Sequence, residues 1–208
     1  MTYLDPSEYG AYGLEKTVPA AWVSAASSLI EAYCRRPSLG IVQYTERVRL
    51  RPGRPAVQLS FLPLAAVEPA ASPIIAARGR YTVPRRGEEA QGDFATEVAL
   101  AFGLPGTWTD IDPLSIDYWA ETGELTLPAN PLGLGYNELE ATYTAGFAQI
   151  PDAIKFACAQ IVRNGQATPA LNVRSGNLDQ MHLEYFADTL VDSTVRLTLA
   201  PYIAQKLG

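Results

Sequence analysis

The residues that could do chemistry are few and badly placed for it. His182 is the only histidine in the chain. A histidine-rich metal site therefore cannot be built within one copy, and any Ser/His/Asp or Cys/His arrangement would have to use that one side chain. It lies between Met181 and Leu183 on a helical pattern, which reads as a structural position. Asp110, Asp112 and Asp117 cluster, but the glycine and closing glutamate of a calcium loop are missing at the required spacing. Gly133-Leu134-Gly135 runs into Tyr136-Asn137 and a strand pattern, not into a helix whose N-terminus could hold a phosphate. Glu15, Glu31, Glu46, Glu68, Glu97 and Glu184 share no spacing that pairs them as acid and base. Cys34 and Cys158 stand far apart in helical patterns and read as buried free thiols. No catalytic residue, metal or cofactor is expected.

The clearest instructions in the chain concern structure. Over residues 139–144, Leu139, Ala141 and Tyr143 alternate with Glu140, Thr142 and Thr144, the period of a half-buried strand. Gly146 ends it. Pro151 suits the first turn of a helix, and Asp152 places a negative charge at the positive end of the helix dipole. From there Ile154, Ala157, Cys158, Ile161 and Val162 form one apolar helical face.

The remaining chain is read around this unit. Residues 1–16 hold tyrosines and glycines without a period and predict an extended arm. A first helix follows, capped by Thr17, with Pro19 in its first turn and Trp22, Ala25, Ala26, Leu29, Ile30 and Tyr33 on its apolar face. Its other face carries Ser24, Ser27 and Ser28, small uncharged residues that let a neighbouring helix or subunit come close. Residues 41–61 predict a hairpin turning at Pro52-Gly53, with Arg47, Arg49 and Arg51 along its outer face. That stripe suits either an acidic partner or a solvated face that discourages edge pairing.

Short strands are expected at 73–77 and 80–83, then an inserted excursion over 84–113 with a strand at Val98, Leu100 and Phe102. A hairpin follows, 116–119 and 124–127 around Glu121-Thr122-Gly123. Residues 164–177 read as a loop and 179–190 as a helix. Residues 192–208 suit a helix begun at Ser193 or a strand at Val195, Leu197 and Leu199, with Pro201 a break in any helix. The fold expected is α+β: a helical bundle of three to four helices packed with a small antiparallel β-sheet region of hairpins, within one domain.

Composition narrows the partners. The net charge of −6 argues against a protein that grips nucleic acid by neutralising phosphates. No run of about 18 apolar residues is present to span a bilayer, and the N-terminus lacks a secretory layout, so a soluble chain is expected. What the chain offers is surfaces, the equipment of a subunit and not of a catalyst.

Three stretches resemble the head-tail connector, or adaptor, proteins of tailed bacteriophages and phage-like gene transfer agents. The first is Ser28-Leu29-Ile30-Glu31-Ala32-Tyr33-Cys34-Arg35-Arg36 with the later Tyr44-Thr45-Glu46. The second, and most distinctive, is Thr142-Tyr143-Thr144-Ala145-Gly146-Phe147 running into Ile150-Pro151-Asp152-Ala153-Ile154-Lys155. The third is Val195 to Leu199 with Ala200-Pro201-Tyr202. The excursion over 84–113 departs from the shorter family pattern, and no role is carried over to it.

The resemblance implies a structural virion protein in the neck of a phage or phage-like particle, assembled in the bacterial cytoplasm. It implies one head-tail adaptor domain over 1–208 forming a dodecameric ring of neighbouring copies beneath the portal protein. A stopper or tail-tube protein would dock below, and double-stranded DNA would pass through the lumen without sequence-specific binding. Leu199, Tyr202, Ile203 and Leu207 are the expected portal contacts. Ser24, Ser27, Ser28, Arg47, Arg49 and Arg51 are the expected subunit interface. The alternative is a head-tail stopper or tail-completion protein of the neck.

Overall fold

The structure is a computed structural model that describes residues 2–51, 54–69, 72–80, 107–128, 136–167, 175–178, 181–184 and 190–205. The expected strand at Val98, Leu100 and Phe102, the turn Pro52-Gly53, Gly133-Leu134-Gly135 and Leu207 lie outside these residues. The chain divides into two compact units, Met1–Leu39 with Gln149–Ala204, and Gly40–Ala148 with Gln205–Gly208.

The first unit is mainly helical. It contains α1 (Ala20–Cys34), α2 (Asp152–Ala167) and α3 (Ser193–Leu199), with α2 packed against both others. α2 forms as its sequence instructs: Asp152 opens it, and Ile154, Ala157, Cys158, Ile161 and Val162 are all buried. α1 starts later than expected, with Pro19 at the N-cap, while the Thr17 hydroxyl donates to Glu15 instead. Its buried face is Val23, Ala26, Ser27, Ile30 and Cys34, about one residue round from the face expected, and Trp22 stays 39% exposed. α3 settles the C-terminal alternatives for helix, because the Asp192 carboxylate accepts from the Val195 N–H at 2.8 Å and caps it.

The first 16 residues are no extended arm. A capping box on Asp5 and Glu8 starts a 3-10 helix over Pro6–Tyr12, and Tyr3, Leu4, Tyr9 and Leu14 are buried. Tyr3 donates its hydroxyl to Glu31 at 2.8 Å while accepting the Leu39 N–H at 2.9 Å, and its own N–H reaches the Ser27 hydroxyl at 3.1 Å.

Burial, set against the donated Leu39 bond, pushes the Tyr3 hydroxyl from 10.0 up to about 12. Losing that proton costs more in the folded chain than in the unfolded one. The contribution is whole below about pH 10 and is lost as the pH rises towards about 12. Denaturant unfolding at about pH 8 and about pH 11 is therefore expected to show a loss of stability, with Tyr3→Phe losing less across the same interval.

A helix over 179–190 is not what residues 181–184 adopt. β8 (Ser175–Leu178) and β9 (Met181–Glu184) pair antiparallel, with His182 opposite Asn177. α2 in turn runs on to Ala167, into the expected loop.

The second unit is built on sheets. β1 (Val42–Arg49), β3 (Ile74–Arg80), β4 (Thr109–Ile111) and β7 (Glu138–Ala145) form a four-stranded antiparallel sheet in the order β1-β7-β3-β4. β2 (Ala56–Gln58), β5 (Asp117–Tyr118) and β6 (Glu124–Thr126) form a three-stranded one in the order β2-β6-β5. The β5–β6 hairpin forms around 119–123 as expected. The hairpin expected over 41–61 does not form. β1 pairs along its whole length with β7, from Val42 opposite Ala145 to Arg49 opposite Glu138, and β2 joins β6. Eight residues in register with a strand that buries Leu139, Ala141, Tyr143 and Ala145 outweigh a local turn to a three-residue strand. Strands 73–77 and 80–83 are likewise one strand as far as Arg80.

The helical bundle expected from the sequence is therefore overturned. Among the described residues, strands occupy about as much of the chain as α-helices, and the sheets organise a core of their own around Tyr44, Leu59, Leu125, Leu139 and Tyr143.

Candidate functional site

The most organised polar constellation covers one face of the four-stranded sheet. Period-2 alternation puts Glu138 and Glu140 of β7 on that face, with Leu139 and Ala141 in the core. Register then sets Arg47 and Arg78 on either side of Glu140, and Arg49 and Arg80 on either side of Glu138. Glu138 is only 3% exposed and gathers three guanidiniums: Arg47 at 2.5 Å, Arg80 at 2.7 Å and Arg49 at 3.4 Å. Arg78 pairs with Glu140 at 2.7 Å.

Trp108, just before β4, completes the array. The guanidiniums of Arg80, Arg78 and Arg47 stand 4.7, 5.0 and 5.3 Å from its ring centre. Each such contact contributes about 0.5–1 kcal/mol at a partly exposed site. Their greater effect is to hold the arginines in a fixed array, because a guanidinium stacked on an indole and forked to a carboxylate has lost most of its freedom already.

The sequence-predicted interface residues divide accordingly. Arg47 and Arg49 belong to this array, and Arg51 is exposed beyond the end of β1. Ser24 and Ser28 are exposed on α1, whereas Ser27 is buried, donating to the Val23 carbonyl at 2.8 Å. Of the expected portal contacts, Leu199 is fully buried, while Tyr202 and Ile203 are half-buried. Their neighbour Leu197 is 77% exposed.

Sequence reasoning missed Trp108, Arg78, Arg80, Glu138 and Glu140. The signal that could have found them was a matching period: Arg78 and Arg80, and Glu138 and Glu140, repeat the two-residue step of Arg47 and Arg49 with complementary charge.

The residues weighed for chemistry are dispersed. Asp110 lies in β4, Asp112 caps the 3-10 turn Pro113–Ser115 by accepting from the Leu114 N–H at 3.0 Å, and Asp117 lies in β5. Among the described residues no group of three His, Cys, Asp or Glu side chains could hold a metal ion. Burial pushes the Cys34 thiol up to about 11, against the pull of Arg36, and raises Cys158 as well. Neither is the thiolate that nucleophilic chemistry needs. In the first unit, an open groove of about 360 Å³ is lined by Tyr3, Asp5, Glu8, Asp152 and Lys155. Lys155 is already committed to Glu8 at 2.5 Å. Among the described residues no helix is long and apolar enough to cross a membrane.

No protein-family model matches the chain, and no curated protein matches it.

Proposed function

We propose that this chain is a structural head-tail connector of a phage or phage-like particle, a subunit of a ring under the portal that joins capsid to tail. The observation that carries the reading is the continuous run from β7 through Gly146 and Pro151 into α2, the stretch in which the resemblance to that family is most distinctive. Two features support it. Ion-paired arginines stacked on Trp108 form a surface array of the kind that a subunit binding other proteins presents. A chain of net charge −6 also suits a channel wall past which a polyanion slides without condensing. On this reading the chain carries out no reaction. Its partners are portal, neighbouring copies and the stopper or tail-tube proteins, and its place is the virion neck after assembly in the bacterial cytoplasm.

The C-terminal segment supplies the portal contact, through Leu197 and the half-buried Tyr202 and Ile203, while Leu199 and Val195 close the core. Truncation before Asp192 would remove those two buried side chains, so a point substitution is the sharper test. Leu197→Asp should fold normally and lose co-sedimentation with portal rings by about tenfold or more, since a charge replaces an apolar contact. Unchanged co-sedimentation would place the portal contact elsewhere.

A further inference from the structure

We propose that copies of this chain join head to tail, the arginine-covered face of the four-stranded sheet in one copy receiving the acidic segment over residues 112–124 of the next. The proposal rests on the reading of the chain as an assembly subunit and names the two surfaces that meet.

The basic surface is built and keeps an excess of positive charge. Arg47, Arg49, Arg78 and Arg80 share this face with Glu138 and Glu140, and with Asp110, which stands opposite Arg78 in register, so four positive charges meet three negative and one is left over. The side chains of Arg47, Arg49 and Arg78 are 49%, 57% and 46% exposed, so their unused N–H groups face outward. Because Trp108 already holds Arg47, Arg78 and Arg80, receiving carboxylates there costs little further side-chain entropy.

The acidic surface lies in the same unit. β4 is outermost in the first sheet and β5 outermost in the second, and residues 107–128 contain no Lys or Arg. Asp112, Asp117, Glu121 and Glu124 are exposed there, and none takes part in the ion pairs among the described residues. Beside them stand Leu114 and Trp119, 75% and 70% exposed. Aromatic and aliphatic side chains among charges of one sign are what a protein interface buries, and the sign is the complement of the arginine face.

A second copy accounts for both surfaces at once. Nucleic acid would meet an arginine face already largely neutralised on a chain of net charge −6, and would leave the apolar acidic segment unexplained. Because the two surfaces differ, the contact is heterologous, and repeating it closes a ring or extends a fibre.

The test exchanges the charges. One variant carries Arg49→Glu with Arg78→Glu, leaving Arg47 and Arg80 on Glu138. The other carries Asp117→Arg with Glu121→Arg. Sedimentation velocity should show the wild-type chain associating at low salt and weakening by about tenfold or more at high salt. Each variant alone should stay monomeric, since like charges then meet, and an equal mixture should associate again, because both junctions in it are complementary. Restored association also shows that both variants are folded. Should either reversal fail to fold, Arg49→Gln with Arg78→Gln, and separately Asp117→Asn with Glu121→Gln, must still weaken association. Wild-type chain that stays monomeric, folded variants that associate as wild type does, or a folded mixture that stays inert overturns the proposal. Portal docking unaffected by the charge reversals would overturn it while leaving the connector reading intact, and charge-dependent association without portal binding would do the reverse.

Discussion

Replacing Gly146 with valine is expected to lower the stability of the folded chain by about 4 kcal/mol, enough to leave a marginal domain largely unfolded. Two independent causes add. Gly146 has φ +133, a conformation that side-chain-bearing residues rarely adopt and that costs about 1–3 kcal/mol to hold. A Cβ there would also stand 2.2 Å from the Gly40 carbonyl oxygen and 2.8 Å from the Ile41 nitrogen, and these are backbone atoms that cannot swing aside. The close approach has a purpose. It brings Gly40 beside Phe147 as a bridge at the end of β7, while the Gly146 N–H donates to the Pro63 carbonyl at 2.9 Å. Urea unfolding followed by far-ultraviolet circular dichroism measures the loss, and Gly146→Ala should show most of it. A valine variant of normal stability that failed to assemble would make this turn part of an interface instead.

Tyr143→Ala is expected to cost about 4 kcal/mol, the usual loss for deleting a large buried aromatic side chain. Tyr143 is fully buried in the middle of β7, next to the stacked pair Tyr44 and Phe61, whose ring centres are 3.9 Å apart. Its hydroxyl donates to Glu46 at 2.7 Å and accepts the Phe61 N–H at 3.3 Å. The alanine variant therefore opens a cavity and strands two polar groups. Tyr143→Phe keeps the volume and removes the hydroxyl alone, at about 1–2 kcal/mol. The difference between the two variants in equilibrium unfolding measures packing apart from hydrogen bonding. Equal losses would mean that the hydroxyl, and not the ring, holds this part of the core.

How much of this was legible in the sequence depended on how local the instruction was. β7 and α2 are written into adjacent residues: alternation up to Tyr143, a glycine at the turn, proline and aspartate at the helix start, and an apolar face in register. The β5–β6 hairpin is equally local. The partner of β1 is not, because a strand of alternating residues states which face is buried but not which distant strand it joins. The first residues misled for a different reason. Tyr3, Leu4, Tyr9 and Leu14 have no helical or strand period, yet a capped 3-10 turn buries all four. On α1, Trp22 is the largest apolar side chain and pulls the expected face towards itself, while the hydroxyl of Ser27 enters the core because Val23 accepts its proton. The arginine stripe was visible on β1 alone. The meaning of the array lies in strands far apart in the sequence, where Glu138 draws Arg47, Arg49 and Arg80 together and Trp108 lies against two of them, Arg47 and Arg80.

Electron microscopy of the purified chain mixed with portal rings tests the central claim most directly. A structural connector is expected to add a ring of its own, in direct contact with the portal and coaxial with its channel. Portal rings that stay bare, or that gain density only after another neck protein has bound first, would contradict the connector reading.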